Sequence, residues 1–364
     1  MPELAIEIGP RRLLGFKSLE VSTSLSQAAA KASFDGSRVT EGAFSVAENV
    51  RVTFDGQVVF TGALDEIVQQ LSSDGLSFSG SARSRSGDLV DSDVDTELVP
   101  SELENTDVVA VIESFQRALE PSAEFTDRLQ IPAVRSERLA RPLARIERLA
   151  PSHGDSYWDA IQRACGLAGV IATASPHGGL ELLEASSFES TGAALREGVN
   201  VLSASTTSNW AERTHFVIAE GQGSSLGSDY GENMLVRGAA TDFAIRPTRS
   251  RIVKMDGAPT AAECAARAEW EAQNRAARGT KVTVVTPGWT IPGSSELWRT
   301  GTTAQVGIPS LNVDAELLVN TATYRYDGSG ISTQLDFVRP DLYAPIPTIA
   351  AEGEPTWDSW GGNF

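Results

Sequence analysis

Apolar and polar positions alternate along much of the chain, the period-two pattern of strands with one face buried. Leu76, Phe78, Gly80 and Ala82 fall on one face of a stretch whose other face is Ser77, Ser79 and Ser81. The pattern predicts further strands at Leu4–Ile8, Phe16–Ser24, Ala30–Phe34, Ala43–Phe54 and Val58–Leu64, the last followed by a return at Asp65-Glu66-Ile67. Gly9-Pro10, Asp35-Gly36, Asp55-Gly56 and Asp74-Gly75 punctuate them, the last two in the form of tight hairpins. Strands this short, with no helices between them, argue for an antiparallel barrel or sandwich.

The period changes after residue 95. A 3.6-residue stripe of Val108, Val111, Ile112, Phe115 and Leu119 predicts a helix capped by Thr106 and ended by Pro121. A second helix runs from a cap at Asp155 to Ala168, with Gly169 as its stop. A hairpin of Val170–Ala174 and Leu180–Glu184 turns around Pro176-His177-Gly178-Gly179. Alternation returns at Val199–Ala204, Thr214–Glu220, Lys281–Thr286, Thr303–Ile308, Leu317–Tyr326 and Ile331–Val338. Within this region Thr260 and Glu263 have capping-box spacing, and an alanine-rich run with Glu263–Arg267 and Glu271–Arg275 pairs predicts one long helix over 260–278.

The expected fold is therefore mainly β with an α/β insert. Two β-barrel-like domains stand in a pseudo-duplicated arrangement, with a small α/β domain and one long helix in the second half. Residues 1–95 with 191–225 form the first β-barrel-like domain, 96–190 the inserted α/β domain, 226–340 the second β-barrel-like domain, and 341–364 an extended tail.

Composition narrows the function classes. The 364 residues carry 30 Lys+Arg against 48 Asp+Glu, a net charge of −18, which argues against a nucleic-acid coat protein or sequence-specific nucleic-acid binding. Cys165 and Cys264 stand alone, without metal or redox spacing, and read as small buried apolar residues of a reducing compartment. No stretch is apolar enough to anchor the chain in a bilayer, and the first residues lack the pattern of a secretion signal. A cytosolic, soluble product is expected.

Several constellations suggest chemistry. Gly223-Ser224-Ser225-Leu226-Gly227 matches the G-x-S-x-G of a nucleophile elbow, but the elbow needs a strand before it and a helix after it. All three histidines (His153, His177, His215) also precede the serine, against the order of α/β-hydrolases. Asp91, Asp93, Asp95 and Glu102 occupy positions 1, 3, 5 and 12 of a calcium loop, with Thr96 where glycine is required, so a solvated acidic loop is favoured. Arg135, Arg138, Arg141, Arg145 and Arg148 are interleaved with Glu137 and Glu147 and lack a stacking platform for bases. They read as forming salt bridges to another subunit or a partner protein rather than a phosphate grip. No cofactor is expected.

The segments "TGALDEI" at 61–67, "SGSARSRSGDLVD" at 79–91, "LREGVNVLSAS" at 195–205, "AECAARAEWEAQNRAAR" at 262–278, "VTPGW" at 285–289 and the ending at 317–343 resemble, in order and spacing, the Mu-type contractile-tail phage baseplate hub family, which is related to the base of type VI secretion spikes. The resemblance spans about Phe16 to Tyr343. It marks Arg83, Gly87, Asp88, Leu89, Asp91, Trp270, Arg275, Gly288, Trp289 and Trp298 as motif residues with structural roles. It implies a non-enzymatic homotrimer, a ring adapting a six-fold tail tube to a three-fold central spike. Implied partners are the tube or a tube-initiator protein, the spike, the tape measure and the baseplate wedge proteins, in a virion assembled in the host bacterial cytoplasm. Trp357, Trp360 and Phe364, in an acidic tail that cannot bury them alone, are expected to dock on the spike or a neighbouring subunit. The alternatives are a tail-associated cell-wall hydrolase and the hub portion of a type VI-like spike.

Overall fold

The structure is a computed structural model that describes residues 3–37, 44–72, 75–119, 134–139, 142–152, 154–185, 187–222, 235–255 and 259–347. Its first strands are β1 (Leu4–Ile8), β2 (Arg11–Leu13), β3 (Phe16–Ser24), β4 (Lys31–Gly36), β5 (Asn49–Phe54), β6 (Gln57–Ser72) and β7 (Gly75–Arg83). A 3-10 turn, Arg85–Gly87, runs into the short helix α1 (Asp88–Asp91). Next come β8 (Leu103–Thr106), α2 (Val108–Ala118), β9 (Arg135–Arg138), β10 (Ile146–Leu149), α3 (Tyr157–Ala168), β11 (Val170–Ala174) and β12 (Leu180–Glu184). The chain continues through β13 (Glu189–Arg196), β14 (Ser203–Ser208), β15 (Phe216–Gln222), β16 (Leu235–Thr241), β17 (Ser250–Lys254) and α4 (Ala261–Arg278). It closes with β18 (Thr280–Pro287), β19 (Thr302–Ile308), β20 (Val313–Asp327) and β21 (Gly330–Val338). The protein is mainly β, as its alternation predicts.

Thirteen strands share one sheet, in the order β14-β18-β21-β20-β3-β4-β7-β6-β5-β1-β2, with β19 joined to β20 and β13 to β19. The path is an N-terminal run and a C-terminal run stitched together at one seam, where β3 pairs antiparallel with β20 from Ser24↔Thr321 to Leu19↔Tyr326. One apolar cluster underlies both runs, including Ile6, Val52, Phe60 and Phe78 from the first and Trp289, Val319, Leu335 and Phe337 from the second. The alternation along each strand decides which residues enter this core. Asp55 (φ 48°) and Gly56 (φ 78°) provide the left-handed pair that a two-residue hairpin requires between β5 and β6.

Three departures from the sequence reading have physical causes. Residues 65–67 are not a return: β6 passes through them to Ser72, and a register shift between Leu64 and Glu66 breaks the alternation there. Residues 191–208, assigned to the first β region, instead supply β13 and β14, which pair with β19 and β18 of the C-terminal run. The expected boundary at 225/226 falls between β15 and β16, which pair from Phe216↔Thr241 to Gln222↔Leu235. The caps also move by one residue. Asp107 accepts from Ala110 N at 2.9 Å, in place of Thr106, and Ser156 accepts from Asp159 N at 3.1 Å, in place of Asp155. Asp155 accepts instead from Ser152 N and Arg163.

The insert has its own core, in which Val111, Ile112 and Phe115 of α2 meet Tyr157, Ile161 and Cys165 of α3. Gly169 takes the left-handed conformation (φ 68°) that ends α3, and β11 and β12 form the expected hairpin. Burial pushes the Cys165 thiol up to about 12, consistent with an inert packed side chain. Among the described residues no helix is long and apolar enough to cross a membrane.

The chain divides into two compact units, residues 1–209 with 280–345 and residues 210–279 with 346–364. In the second unit, β16, β15 and β17 form a sheet in that order. Val217 and Ala219 of β15 pack against Cys264 and Ala268 of α4. The capping box is complete: Thr260 Oγ1 accepts from Glu263 N and Glu263 Oε2 accepts from Thr260 N. A Cβ at Gly238 would lie 2.0 Å from Ala265 N, so α4 reaches its packing distance only over a glycine. Gly238→Ala should destabilise this unit by about 1–3 kcal/mol. Hydrogen exchange should speed up over 216–222 and 261–278, with β18–β21 unchanged.

Candidate assembly surfaces

The 79–91 motif is a joint between sheet and insert. Ser84 and Ser86 pin it: Ser84 Oγ accepts from Ala30 N at 3.0 Å, Ser86 Oγ donates to Ala28 O at 2.6 Å, and Ser86 N donates to Gly178 O at 3.1 Å. Leu89 then enters the core of the insert. Arg83 bridges two carboxylates, with Nε 2.5 Å from Asp65 Oδ2 and Nη2 2.6 Å from Asp91 Oδ2, and these hydrogen bonds hold the guanidinium firmly charged. The shifted register at Leu64/Glu66 places Asp65 for this contact. Burial raises the pKa of Asp88 in the same joint. A Cβ at Gly62 would stand 2.1 Å from Arg83 O, so the β6–β7 approach also depends on glycine. Arg83 with Asp91, and Leu89, thus tie the end of β7 to its surroundings, Leu89 within the core of the insert.

The candidate calcium set disperses. Asp91 pairs with Arg83, Asp95 Oδ1 accepts from Glu97 N, and Glu102 pairs with Arg148. Among the described residues no group of three or more His, Cys, Asp or Glu side chains is placed to hold a metal. The G-x-S-x-G run at 223–227, His153, Arg141 and the tail residues Trp357, Trp360 and Phe364 lie outside the described residues. So does the side chain of Arg135.

Of the arginines in this run, Arg138, Arg145 and Arg148 make contacts within the chain. Arg145 donates to Asn105 O, and Arg138 donates to Thr300 O (3.0 Å) and Gly301 O (2.9 Å). Arg138 also lies 3.7 Å from Glu181 and 3.8 Å from Glu189, with its side chain 10% exposed. It clamps the insert strand β12 to the β18–β19 connection. Nothing in the sequence singles it out among its neighbours.

Beside this clamp is a cavity of about 240 Å³ whose lining includes Arg138, His177, Glu181, Trp298, Arg299 and Tyr324. The lining holds one carboxylate and neither serine nor cysteine. Glycoside hydrolysis uses two carboxylates, and this lining holds only Glu181.

The motif tryptophans are anchors. Trp289 is fully buried, donates from Nε1 to Arg325 O at 3.0 Å, and packs on Phe54 (4.9 Å between centroids) and Tyr324 (5.3 Å). Gly288 before it is left-handed (φ 79°), and its carbonyl accepts from Thr333. Trp298 is buried too, its carbonyl accepting from the Tyr324 hydroxyl. Trp270 lies under the Arg267 guanidinium at 4.7 Å, and Arg275 donates to Glu271 (2.7 Å) and to Glu212 O.

Some surfaces remain open. Beyond Leu64, β6 pairs among the described residues only with β7, and this two-stranded ribbon carries Val68 and the 81%-exposed Leu71. At the end of the long sheet, β14 bonds among the described residues only to β18, which leaves its other edge unpaired there, next to Leu202 and the 78%-exposed Val199. A free strand edge with exposed apolar side chains is a template for another chain.

Residues 260–346 match the family model described as Mu phage baseplate assembly protein GpP, fourth domain. No curated protein matches the chain. Among solved structures, the chain is similar to the 43 kDa tail protein of prophage MuSo2 from Shewanella oneidensis. Identity there is 20% and the TM-score 0.77, over 94% of this chain and 99% of that one. A tail protein from Neisseria meningitidis MC58 follows at 17% identity and TM-score 0.73, over 94% and 98% of the two chains. An E. coli component of the type VI secretion system, described as structurally similar to the T4 tail proteins gp27 and gp5, gives 12% identity and TM-score 0.55 over 94% of this chain and 79% of that one. The region from α4 through β21 thus carries the GpP fourth-domain match, and the chain as a whole shares its fold with the MuSo2 and Neisseria tail proteins.

Proposed function

We propose that this protein is the structural hub of a contractile-tail baseplate, a homotrimeric ring that adapts a six-fold tail tube to a three-fold central spike. The observation that carries the reading is the near full-length agreement in fold with the MuSo2 and Neisseria tail proteins, together with the GpP match at 260–346. The free edge of β14 and the exposed β6–β7 ribbon supply surfaces for neighbouring subunits. Interfaces of the obligate kind, on the order of 2,000 Å² or more, are expected between copies. The tube or its initiator, the spike, the tape measure and the wedge proteins are the proposed partners, with Trp357, Trp360 and Phe364 docking on the spike or a neighbouring copy. The work of such a hub is geometric and needs no catalyst, cofactor or metal.

Light scattering of the purified protein, alone and with its spike, tests this. The expected result is three chains per particle and a spike-bound complex of fixed stoichiometry. A chain that remains monomeric at all concentrations and binds no spike would overturn the hub reading. Clearing of a peptidoglycan suspension by the protein would instead favour a wall hydrolase.

A further inference from the structure

We propose that the face of the β15–β17 sheet opposite α4 is a docking site for the acidic turn at residues 93–98 of a second copy of this chain. The inference rests on the ring reading and names one contact within it.

The face opposite α4 is built by alternation. Val217 and Ala219 point to the helix, so Phe216, Ile218 and Glu220 point away, beside Ala239 and Arg237 of β16 and Ile252 and Lys254 of β17. Ile252 is 56% exposed, and Phe243, on the connection between β16 and β17, is 88% exposed. That connection is well fixed. The Asp242 carboxylate accepts from Arg213 (2.7 Å) and from Ala244 N (3.1 Å), while Ile245 is buried. A large apolar side chain held outward on a fixed loop has the character of a binding anchor.

Charge identifies the occupant. Residues 210–279 contain nine Lys+Arg and nine Asp+Glu, so the whole net charge of −18 resides in the rest of the chain. Between Leu235 and Lys254 there are five basic residues and one acid, Asp242, which Arg213 already pairs. Arg246 and Lys254 are exposed and have no ion-pair partner among the described residues. The complement is the acidic turn at residues 93–98. Buried Val94 and Val99 anchor it, Leu98 N and Val99 N donate to Asp95 O, and Leu98 stands 63% exposed among Asp93, Asp95 and Glu97. Asp93 and Glu97 likewise have no ion-pair partner among the described residues. Two different patches that fit each other make a head-to-tail contact, the kind that closes a ring of identical chains.

The test pairs charge reversal with cross-linking of the full-length protein. Sedimentation velocity at low salt should show self-association weakened at least about tenfold in Arg246→Glu/Lys254→Glu and in Asp93→Lys/Glu97→Lys, and restored in the chain carrying all four changes. Chains with Leu98→Cys, mixed with chains with Ile252→Cys under mild oxidation, should give a disulfide-linked dimer. The two native thiols are buried and do not compete. Unchanged self-association in both reversals, with no mixed dimer, would overturn this contact and leave the ring reading standing. A bridge that closes only within a single chain carrying both cysteines would overturn it too. A wild-type chain that neither self-associates nor binds spike would remove the ring reading and the contact with it.

Discussion

Replacing Trp289 with alanine should cost about 3–5 kcal/mol of folding stability, the range for a large aromatic deleted from a packed core. Trp289 is not one core residue among many. Its ring touches Phe54 of the N-terminal run and Tyr324 of the C-terminal run, and its N–H is used by the Arg325 carbonyl. The substitution opens a cavity where the two runs meet and leaves that carbonyl short of a donor. Urea denaturation followed by far-UV circular dichroism measures the loss. Trp289→Phe, which keeps most of the volume but not the N–H, should fall between wild type and alanine. A Trp289→Ala protein as stable as wild type would show that the two runs hold together without it.

Arg138→Ala should be of the same order, about 3–5 kcal/mol, because it removes one partner of a buried charged contact and strands the other. The guanidinium satisfies two backbone carbonyls, at Thr300 and Gly301, while sitting near Glu181, whose side chain is only 12% exposed. With the arginine gone, Glu181 is a carboxylate left nearly dry and both carbonyls lose charged donors. A double-mutant cycle with Glu181→Leu separates the effects. The double variant should be distinctly less destabilised than the sum of the singles. Strict additivity would mean that the backbone bonds alone account for the clamp.

Local features of this fold were legible where a single stretch decides them. Strands β1 and β3, the β11–β12 hairpin, the glycine that ends α3 and the Thr260–Glu263 capping box all follow from period, turn chemistry and capping within a few residues. Pairings that join distant residues were not legible. Strand β13, Glu-Ser-Thr-Gly-Ala-Ala-Leu-Arg, has too few large apolar residues to show alternation, and it exists because it lies parallel to β19. The exposed half of β6 lost its pattern because both of its faces are wet beyond Leu64. Arg138 was one arginine in an irregular run, and its carbonyl partners stand 162 and 163 residues away. The motif residues were recognisable as a set, but their division of labour needed coordinates. Arg83 spans two carboxylates, Gly288 takes a positive φ, and Trp289 fills the centre.

The seam between β3 and β20 has a consequence for synthesis. Ser24 and Thr321, hydrogen-bonded neighbours across it, are 297 residues apart. At about 5–20 residues per second, a ribosome needs roughly 15 to 60 s to deliver the second after the first. Until then the nascent chain can form its N-terminal strands and the core of the insert, but not the seam that joins the two runs. The two runs can therefore close on one another only after the β20 segment has left the ribosome.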